Sequence, residues 1–444
     1  MHVIIVGAGL AGTATAWYLR QGGATVTVIE RGDAAAMETS FANAGMLTPS
    51  MADPWNAPGT WRKLLRWIGR EDAPMLLRPH ALPSLIGWGL QFLWHSRTGS
   101  FHRNTVKNVR LALYSLAQLQ QLREQTGIEY DAASTGTLRA CRDQASLDRA
   151  AALAAFLAEH GVAHRVLDRA GLVGVEPALA PIAGDLVGGI HYSRDESGDA
   201  HMFTRNLAQR AAEAGVRFVY RSEFTGVRMR GGQLSGVEYR CAERRLDGDT
   251  DPVLRANSGV EPEHGETILD GDAVVLAAGS FTPVLARRLG LSVPVRPVKG
   301  YSITAPVGDW ASPPRIPVSD DHLHAAVTPL GDRIRVAGTA EFTGYDDTLS
   351  PSRVANLNHL LHALYPDYAT RLQPSSVTPW CGFRPVSADG VPILGSTPLQ
   401  GLYMNTGQGP LGWTMAAGCG RLLADVVLGQ KPALDMNDYA LARF

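Results

Sequence analysis

The hexapeptide Gly7-Ala8-Gly9-Leu10-Ala11-Gly12 sets three glycines at GxGxxG spacing between the β-branched run Val3 to Val6 and a helical stretch from Leu10 to Gln21. In that setting the spacing has a chemical use, which is to hold a pyrophosphate. Gly7 permits the tight turn, Gly9 lets a phosphate approach the backbone, and Gly12 lets the helix lie against the strand. The first N–H groups of the helix, and its positive end, then face the phosphates. Glu30 follows Gly12 by 18 residues and closes a second strand, Thr25 to Ile29. A carboxylate there accepts hydrogen bonds from a ribose diol and repels a 2′-phosphate, so the pattern favours FAD or NAD over NADP. The plainer alternative, a glycine turn and a solvated acid, leaves the order of strand, loop, helix, strand and acid unexplained.

Two more stretches combine small and polar residues. Asp272 precedes the apolar strand Ala273 to Leu276, and Ala277-Ala278-Gly279-Ser280 turns into a helix from Pro283 to Leu289, so the chain there can approach a bound group closely. Taken alone, this is equally an ordinary strand, turn and helix. Near the C-terminus, Trp380-Cys381-Gly382-Phe383-Arg384-Pro385 and Asp389 to Gly395 lead into Asn405-Thr406-Gly407-Gln408-Gly409-Pro410-Leu411-Gly412-Trp413-Thr414-Met415 and a helix to about Leu428. A glycine-rich loop at a helix start offers N–H donors and a positive dipole, suited to negative charge on the N1–C2=O edge of a reduced flavin. Alternatively, its glycines only let the last helix pack. His191, His201, His322 and His324 are possible acid–base groups. Lone histidines are more often structural or exposed, and none is singled out.

These groups need a scaffold. A chain of 444 residues, 45 % apolar and 19 % charged, is too long for one core and implies two globular domains, which can interleave. The N-terminal pattern opens a βαβ unit, and a helix from Met202 to Ala214 leads to another strand, Arg217 to Tyr220. By contrast, Tyr301 to Thr304, Ala325 to Thr328 and Arg333 to Ala337 alternate like members of an antiparallel sheet. Helical patterns cover about Val106 to Thr126 and Leu147 to His160, and Thr39 to Pro58 reads as an ordered loop able to pack around a ligand. The polar stretch Cys241 to Gly271 reads as an extended hairpin tip or mobile insertion.

A net charge of -1 gives no concentrated basic surface, which disfavours nucleic acid as a partner. The four cysteines are far apart with no metal-ligand spacing, and no basic leader precedes Val3, which points to a cytoplasmic protein without a metal site. No apolar run is long enough to span a bilayer. The segment from Trp61 to Arg97 is unusual: it holds four of the nine tryptophans and six Lys/Arg against two acids. Burial of those tryptophans against the second domain is the favoured reading. An interfacial surface is the other, since Trp with Lys/Arg suits headgroup depth.

GAGLAG, Thr39-Ser40 with Asn43-Ala44-Gly45, Lys299-Gly300-Tyr301-Ser302, the WxGxRP block and NTGxGxLGWTM, taken in order, resemble the D-amino acid dehydrogenase small subunit family of the D-amino-acid-oxidase-like flavoproteins, across residues 1–444. The resemblance implies an α/β plus α+β protein. A Rossmann-type FAD-binding domain (1–48, 199–294 and 381–444) would interleave with a substrate domain (49–198 and 295–380) built on a mixed or antiparallel sheet. It implies FAD held by Gly7, Ala8, Gly9, Leu10, Ala11, Gly12, Glu30, Arg31, Thr39, Ser40, Asn43, Ala44, Gly45, Met46, Leu47, Val227, Ala277, Ala278, Gly279 and Gly382. The C-terminal loop would add Gly407, Gln408, Gly409, Pro410, Leu411, Gly412, Trp413 and Thr414.

The implied reaction moves the α-hydrogen of a D-amino acid to flavin N5 as a hydride and leaves an imino acid, which water converts to a 2-oxo acid and ammonia. Electrons would pass to an acceptor other than oxygen, a membrane quinone being one candidate, with residues 61–97 touching the inner face of the cell membrane. Arg384 matches the family's carboxylate-binding position, where a guanidinium grips a carboxylate in a bidentate fork. Tyr301 matches the tyrosine of KGYS, whose hydroxyl would bond the same carboxylate; a half-buried strand tyrosine is equally supported. Gln408 and Pro410 depart from the expected NTGHGTLGWTM. Pro410 removes a backbone donor and Gln408 replaces a possible cation, which brings D-proline, hydroxy-D-proline and glycine- or sarcosine-type oxidation into contention. A NAD-linked dehydrogenase and a non-catalytic flavin-binding protein are the rivals from other classes.

Overall fold

The computed structural model describes residues 1–71, 73–241, 265–320 and 325–444. His322 and His324, and residues 242–264 of the polar insertion, lie outside the described residues. Two large sheets organise the chain. The first has six strands in the order Ile393–Ser396, Leu402–Thr406, Ala273–Leu276, His2–Val6, Thr25–Ile29 and Arg217–Val219, all parallel except Ile393–Ser396. Parallel strands are covered on both faces, and the sequence HVIIV shows it: Val3, Ile4 and Ile5 are all fully buried.

Alternation sends these side chains into two different cores. Val3 and Ile5 pack with Val26, Val28 and Val275 against the helices Leu10–Gln21, Ala200–Glu213 and Gly412–Val427. Ile4 and Val6 pack with Val274 and Leu276 against a three-stranded antiparallel sheet, Ser222–Arg230, Gln233–Cys241 and Gly265–Asp270. The polar insertion is therefore shorter than its composition suggests. Its last residues pair regularly with Gly236 to Cys241, because main-chain pairing asks little of exposed side chains.

The second sheet has nine strands and is mixed. Its order runs Thr378–Ser387, Val295–Pro306, Arg333–Phe342, Ala325–Leu330, Val318–Asp320, Thr137–Cys141, Gly188–Tyr192 and Arg165–Asp168, with Met75–Leu77 added beside Arg333–Phe342. Most pairings are antiparallel, the exceptions being Val318–Asp320 with Thr137–Cys141 and Met75–Leu77 with Arg333–Phe342. The helix Pro351–Leu364 closes one face, where Leu357, Leu360 and Leu361 meet Tyr301, Ile303 and Val336. A boundary at residue 381 does not match this sheet. Thr378–Ser387 pairs without a break with Val295 to Thr304, so the strand carrying Arg384 belongs to the second sheet.

Candidate active site

One large cavity, about 670 Å³, runs between the two sheets from Glu30 at one end to Trp380 and Arg384 at the other. Its nucleotide-like end is shaped by missing side chains. Gly7 has φ +108°, and a Cβ on it would meet the Ala277 carbonyl oxygen at 2.7 Å. A Cβ at Gly12 would lie 1.9 Å from the Gly7 carbonyl oxygen, so the turn closes only with glycine at both positions. Glu30 stiffens it: Oε2 accepts from the Ala8 N–H at 2.7 Å and Oε1 from the Gly32 N–H at 2.8 Å. A carboxylate has about four acceptor positions, so room remains for ribose hydroxyls. Ser40 Oγ accepts from the Leu10 N–H at 3.1 Å, and Arg31 lies 3.9 Å over the Phe281 ring and pairs with Glu38.

The loop that follows is tied to both sheets. Thr39 Oγ1 donates to the Phe383 carbonyl at 2.7 Å, Ser302 Oγ to that of Ala42 at 2.7 Å, and Arg335 Nη1 to that of Asn43 at 2.8 Å. Asn43 Oδ1 accepts from the Gly45 N–H, while Met46–Leu47 pairs with Glu196–Ser197. The Thr48 N–H donates to Thr414 Oγ1 at 3.0 Å, joining the loop to the last helix. Gly9, Leu10, Ala11, Glu30, Arg31, Thr39, Ser40, Asn43 to Met46, Ala277 to Gly279, Gly382 and Gln408 to Trp413 all line the cavity. Ala8, Gly12, Leu47, Gly407 and Thr414 do not; they stand behind that wall and shape it.

Val227 takes another position, and Tyr301 lines the cavity with its hydroxyl engaged elsewhere. Val227 lies across from Val237 in the three-stranded sheet and packs on its apolar core, whereas Ser222, Glu223 and Phe224 of the same strand line the cavity. Tyr301 borders the cavity but is buried, and its hydroxyl is bonded elsewhere. Arg384 stands opposite Val298 and against Gly300, so the next residue, Tyr301, projects from the other face, into the core of Leu357 and Leu361. Its hydroxyl donates to Glu341 Oε2 at 2.5 Å, and burial together with that carboxylate pushes its pKa far up. That bond commits the hydroxyl hydrogen to Glu341.

The far end of the cavity is built on a pair of glycines. Gly300 and Gly382 face each other across the strands. A Cβ on Gly382 would meet the Trp380 ring at 2.1 Å, and one on Gly300 would meet Arg384 Nη1 at 2.1 Å, so both side chains lie flat on bare backbone. Arg384 donates from Nη1 to the Thr339 carbonyl at 3.0 Å and stands 5.6 Å from the Trp55 ring centre. It has no acidic partner among the described residues. Burial alone lowers its pKa, to about 10, which leaves it a cation at neutral pH. Trp55 and Thr339 escaped sequence reasoning, since neither sits in a recognisable motif.

Gln408, standing where the family pattern has a histidine, is a neutral amide. It lines the cavity but is buried, and its Nε2 donates to Asn405 Oδ1 at 2.6 Å. His201 packs at a tilt against Phe41, ring centres 4.7 Å apart, and His191 is held below its ordinary pKa by burial; neither lines the cavity.

The cavity fits FAD on its own evidence. The helices Leu10–Gln21 and Gly412–Val427 both open onto it with N-cap residues, Gly9 and Leu411, that make no side-chain cap bond, and the backbone at Gly7 and Gly12 leaves no room for a Cβ. Comparison agrees. The family model of FAD-dependent oxidoreductases matches residues 2–426, and the chain belongs to that family; its cofactor is FAD. More particularly, it is 42 % identical over 444 residues to the D-amino acid dehydrogenase of Methylobacterium nodulans, covering 100 % of this chain and 99 % of the relative. It is also 42 % identical over 450 residues to the D-amino acid dehydrogenase of Paramagnetospirillum magneticum, with 100 % and 99 % covered. Among solved structures, glycine oxidase from Geobacillus kaustophilus superposes with a TM-score of 0.71 at 24 % identity, covering 100 % of this chain and 98 % of the other. L-proline dehydrogenase from P. horikoshii gives a TM-score of 0.74 at 18 % identity, with 100 % and 97 % covered. These two show the shared fold.

Proposed function

We propose that the protein oxidises a D-amino acid to its imino acid, which water hydrolyses to the 2-oxo acid and ammonia. The observation that carries this reading is Arg384, a cation at the cavity wall with no acidic partner among the described residues. Such a charge calls for an anion, and its planar fork suits a carboxylate. When bound, FAD supplies the acceptor for the hydride lost from Cα. The protein supplies position: Arg384 fixes the carboxylate, Trp380 and Trp55 form apolar walls, and the amine gives its proton to water before the Cα–H bond breaks. The preference for the D enantiomer is supported by the relatives' shared name. Anaerobic mixing with D-alanine, L-alanine and D-proline tests this. Flavin absorbance bleached by a D-amino or D-imino acid and not by L-alanine is expected; bleaching by L-alanine alone contradicts it. Oxygen uptake much slower than reduction of an artificial acceptor is expected as well.

A second observation bears on where the electrons go. No helix among the described residues is long and apolar enough to cross a membrane. Yet the helix Leu82–Trp94 buries Trp88 and Phe92 on one side and exposes Ile86, Leu90, Leu93 and Trp94 on the other, with Arg97 3.5 Å over the Trp94 ring. Trp88 is thus buried, whereas Trp94 belongs to an exposed apolar stripe. The exposed stripe supports peripheral contact with the cytoplasmic face of a membrane, with a quinone as acceptor. Co-sedimentation with anionic liposomes at low salt is expected for the native protein and lost in Leu90→Asp/Trp94→Asp; native protein that ignores the liposomes sinks this part.

A further inference from the structure

The pairing between Val295–Pro306 and Arg333–Phe342 slips by one residue beside Arg384. Lys299 faces Glu341 and Tyr301 faces Gly338, so Thr339 and Ala340 together oppose Gly300. This is a β-bulge. Where the first residue of such a bulge takes the left-handed conformation it is ordinarily glycine; here it is Thr339, with φ +54°. A β-branched residue there is a real outlier, and such conformations gather at ligand sites.

Thr339 itself lines the cavity. Its carbonyl accepts from Arg384 Nη1 at 3.0 Å, so the bulge aims the guanidinium. Its hydroxyl is buried without a hydrogen-bond partner, in a residue only 8 % exposed that lines the cavity. Among the described residues with such an orphaned polar atom, Thr339 is the one that lines this cavity. A buried hydroxyl left unpaired is unfavourable until something accepts from it.

We infer that Thr339 Oγ1 donates a hydrogen bond to the substrate carboxylate held by Arg384, the task expected of Tyr301. The inference rests on Arg384 as the carboxylate clamp. One residue then does two things: its strained backbone positions the guanidinium and its hydroxyl completes the carboxylate site. That accounts for a threonine where glycine would relax the bulge, since glycine has no hydroxyl to give.

The test uses flavin-loaded protein carrying Thr339→Val, which keeps the branch and loses the hydroxyl, Thr339→Gly, which suits the backbone and loses it too, and Thr339→Ser, which keeps it. Propionate, a carboxylate with no amine to oxidise, is titrated by its perturbation of the flavin spectrum; KM, kcat and Tm are measured alongside. Val and Gly should weaken propionate and raise KM about tenfold or more, with kcat changed less, while Ser stays within about threefold of wild type. Thr339→Gly should hold or raise Tm while losing affinity, an opposition that a purely structural role does not produce. Wild-type propionate binding in both Val and Gly overturns the inference. If Arg384→Lys weakens propionate in the same series, the clamp survives that result; if Arg384→Lys also binds as wild type, the clamp reading fails with it.

Discussion

The guanidinium of Arg384 occupies the space that a side chain at Gly300 would need: a Cβ there would lie 2.1 Å from Nη1 and 2.3 Å from Cζ. Gly300→Ala should therefore displace the arginine while leaving the nucleotide end untouched. The expected result is a KM about tenfold higher for the amino acid at unchanged flavin content, with a stability loss of about 1–3 kcal/mol for overpacking. Steady-state kinetics and a thermal melt on the same sample measure both.

Gly12 has no such escape, because the atom a methyl would strike is the Gly7 carbonyl oxygen, part of the turn itself. Gly12→Ala should open the turn and release the cofactor. The ratio of flavin to protein absorbance after gel filtration is expected to fall close to that of apoprotein, and added FAD should restore little of it.

A buried acid outside the cavity wall sets a pH dependence of stability. Asp195 accepts from Ser50 Oγ at 2.5 Å and Thr137 Oγ1 at 2.7 Å, yet burial outweighs these bonds and raises its pKa from 3.8 to about 7. Because the folded state holds this proton more tightly than the unfolded one, the stabilisation it gives is complete below about pH 4 and lost as pH rises to about 7. Asp195→Asn keeps an acceptor for both hydroxyls and removes the titration. Relative to that variant, the native protein should lose stability on the order of 4 kcal/mol between those limits and no more beyond them. Urea unfolding at a series of pH values reads it, and parallel curves for the two proteins count against it.

What the sequence disclosed follows from how local each constraint is. Gly7, Gly12 and Glu30 answer to a single turn, and their roles are visible in six residues and a strand end. Tyr301 shows the limit. Its motif places it next to the clamp, but strand parity turns its side chain to the opposite face, and parity depends on a pairing register that KGYS does not contain. Thr339 is harder still, for Gly338 in RVAGTAEF hints at a bulge without marking the threonine; the slip is fixed only when the strand is laid against Val295–Pro306. The strand around residue 381 shows the same dependence, since only its pairing with Val295 to Thr304 assigns it to the second sheet. Arg384 is legible because its chemistry and its motif agree, and its lack of an acidic partner among the described residues emerges only from the fold.

The most direct measurement is kcat/KM for a D-amino acid in Arg384→Ala at full flavin occupancy. Removal of a buried cation that grips the substrate carboxylate should lower it by about 100-fold or more, corresponding to roughly 3 kcal/mol, with the loss mainly in KM. A fully yellow Arg384→Ala protein that turns over D-amino acids with native kcat/KM would show that the carboxylate is bound elsewhere.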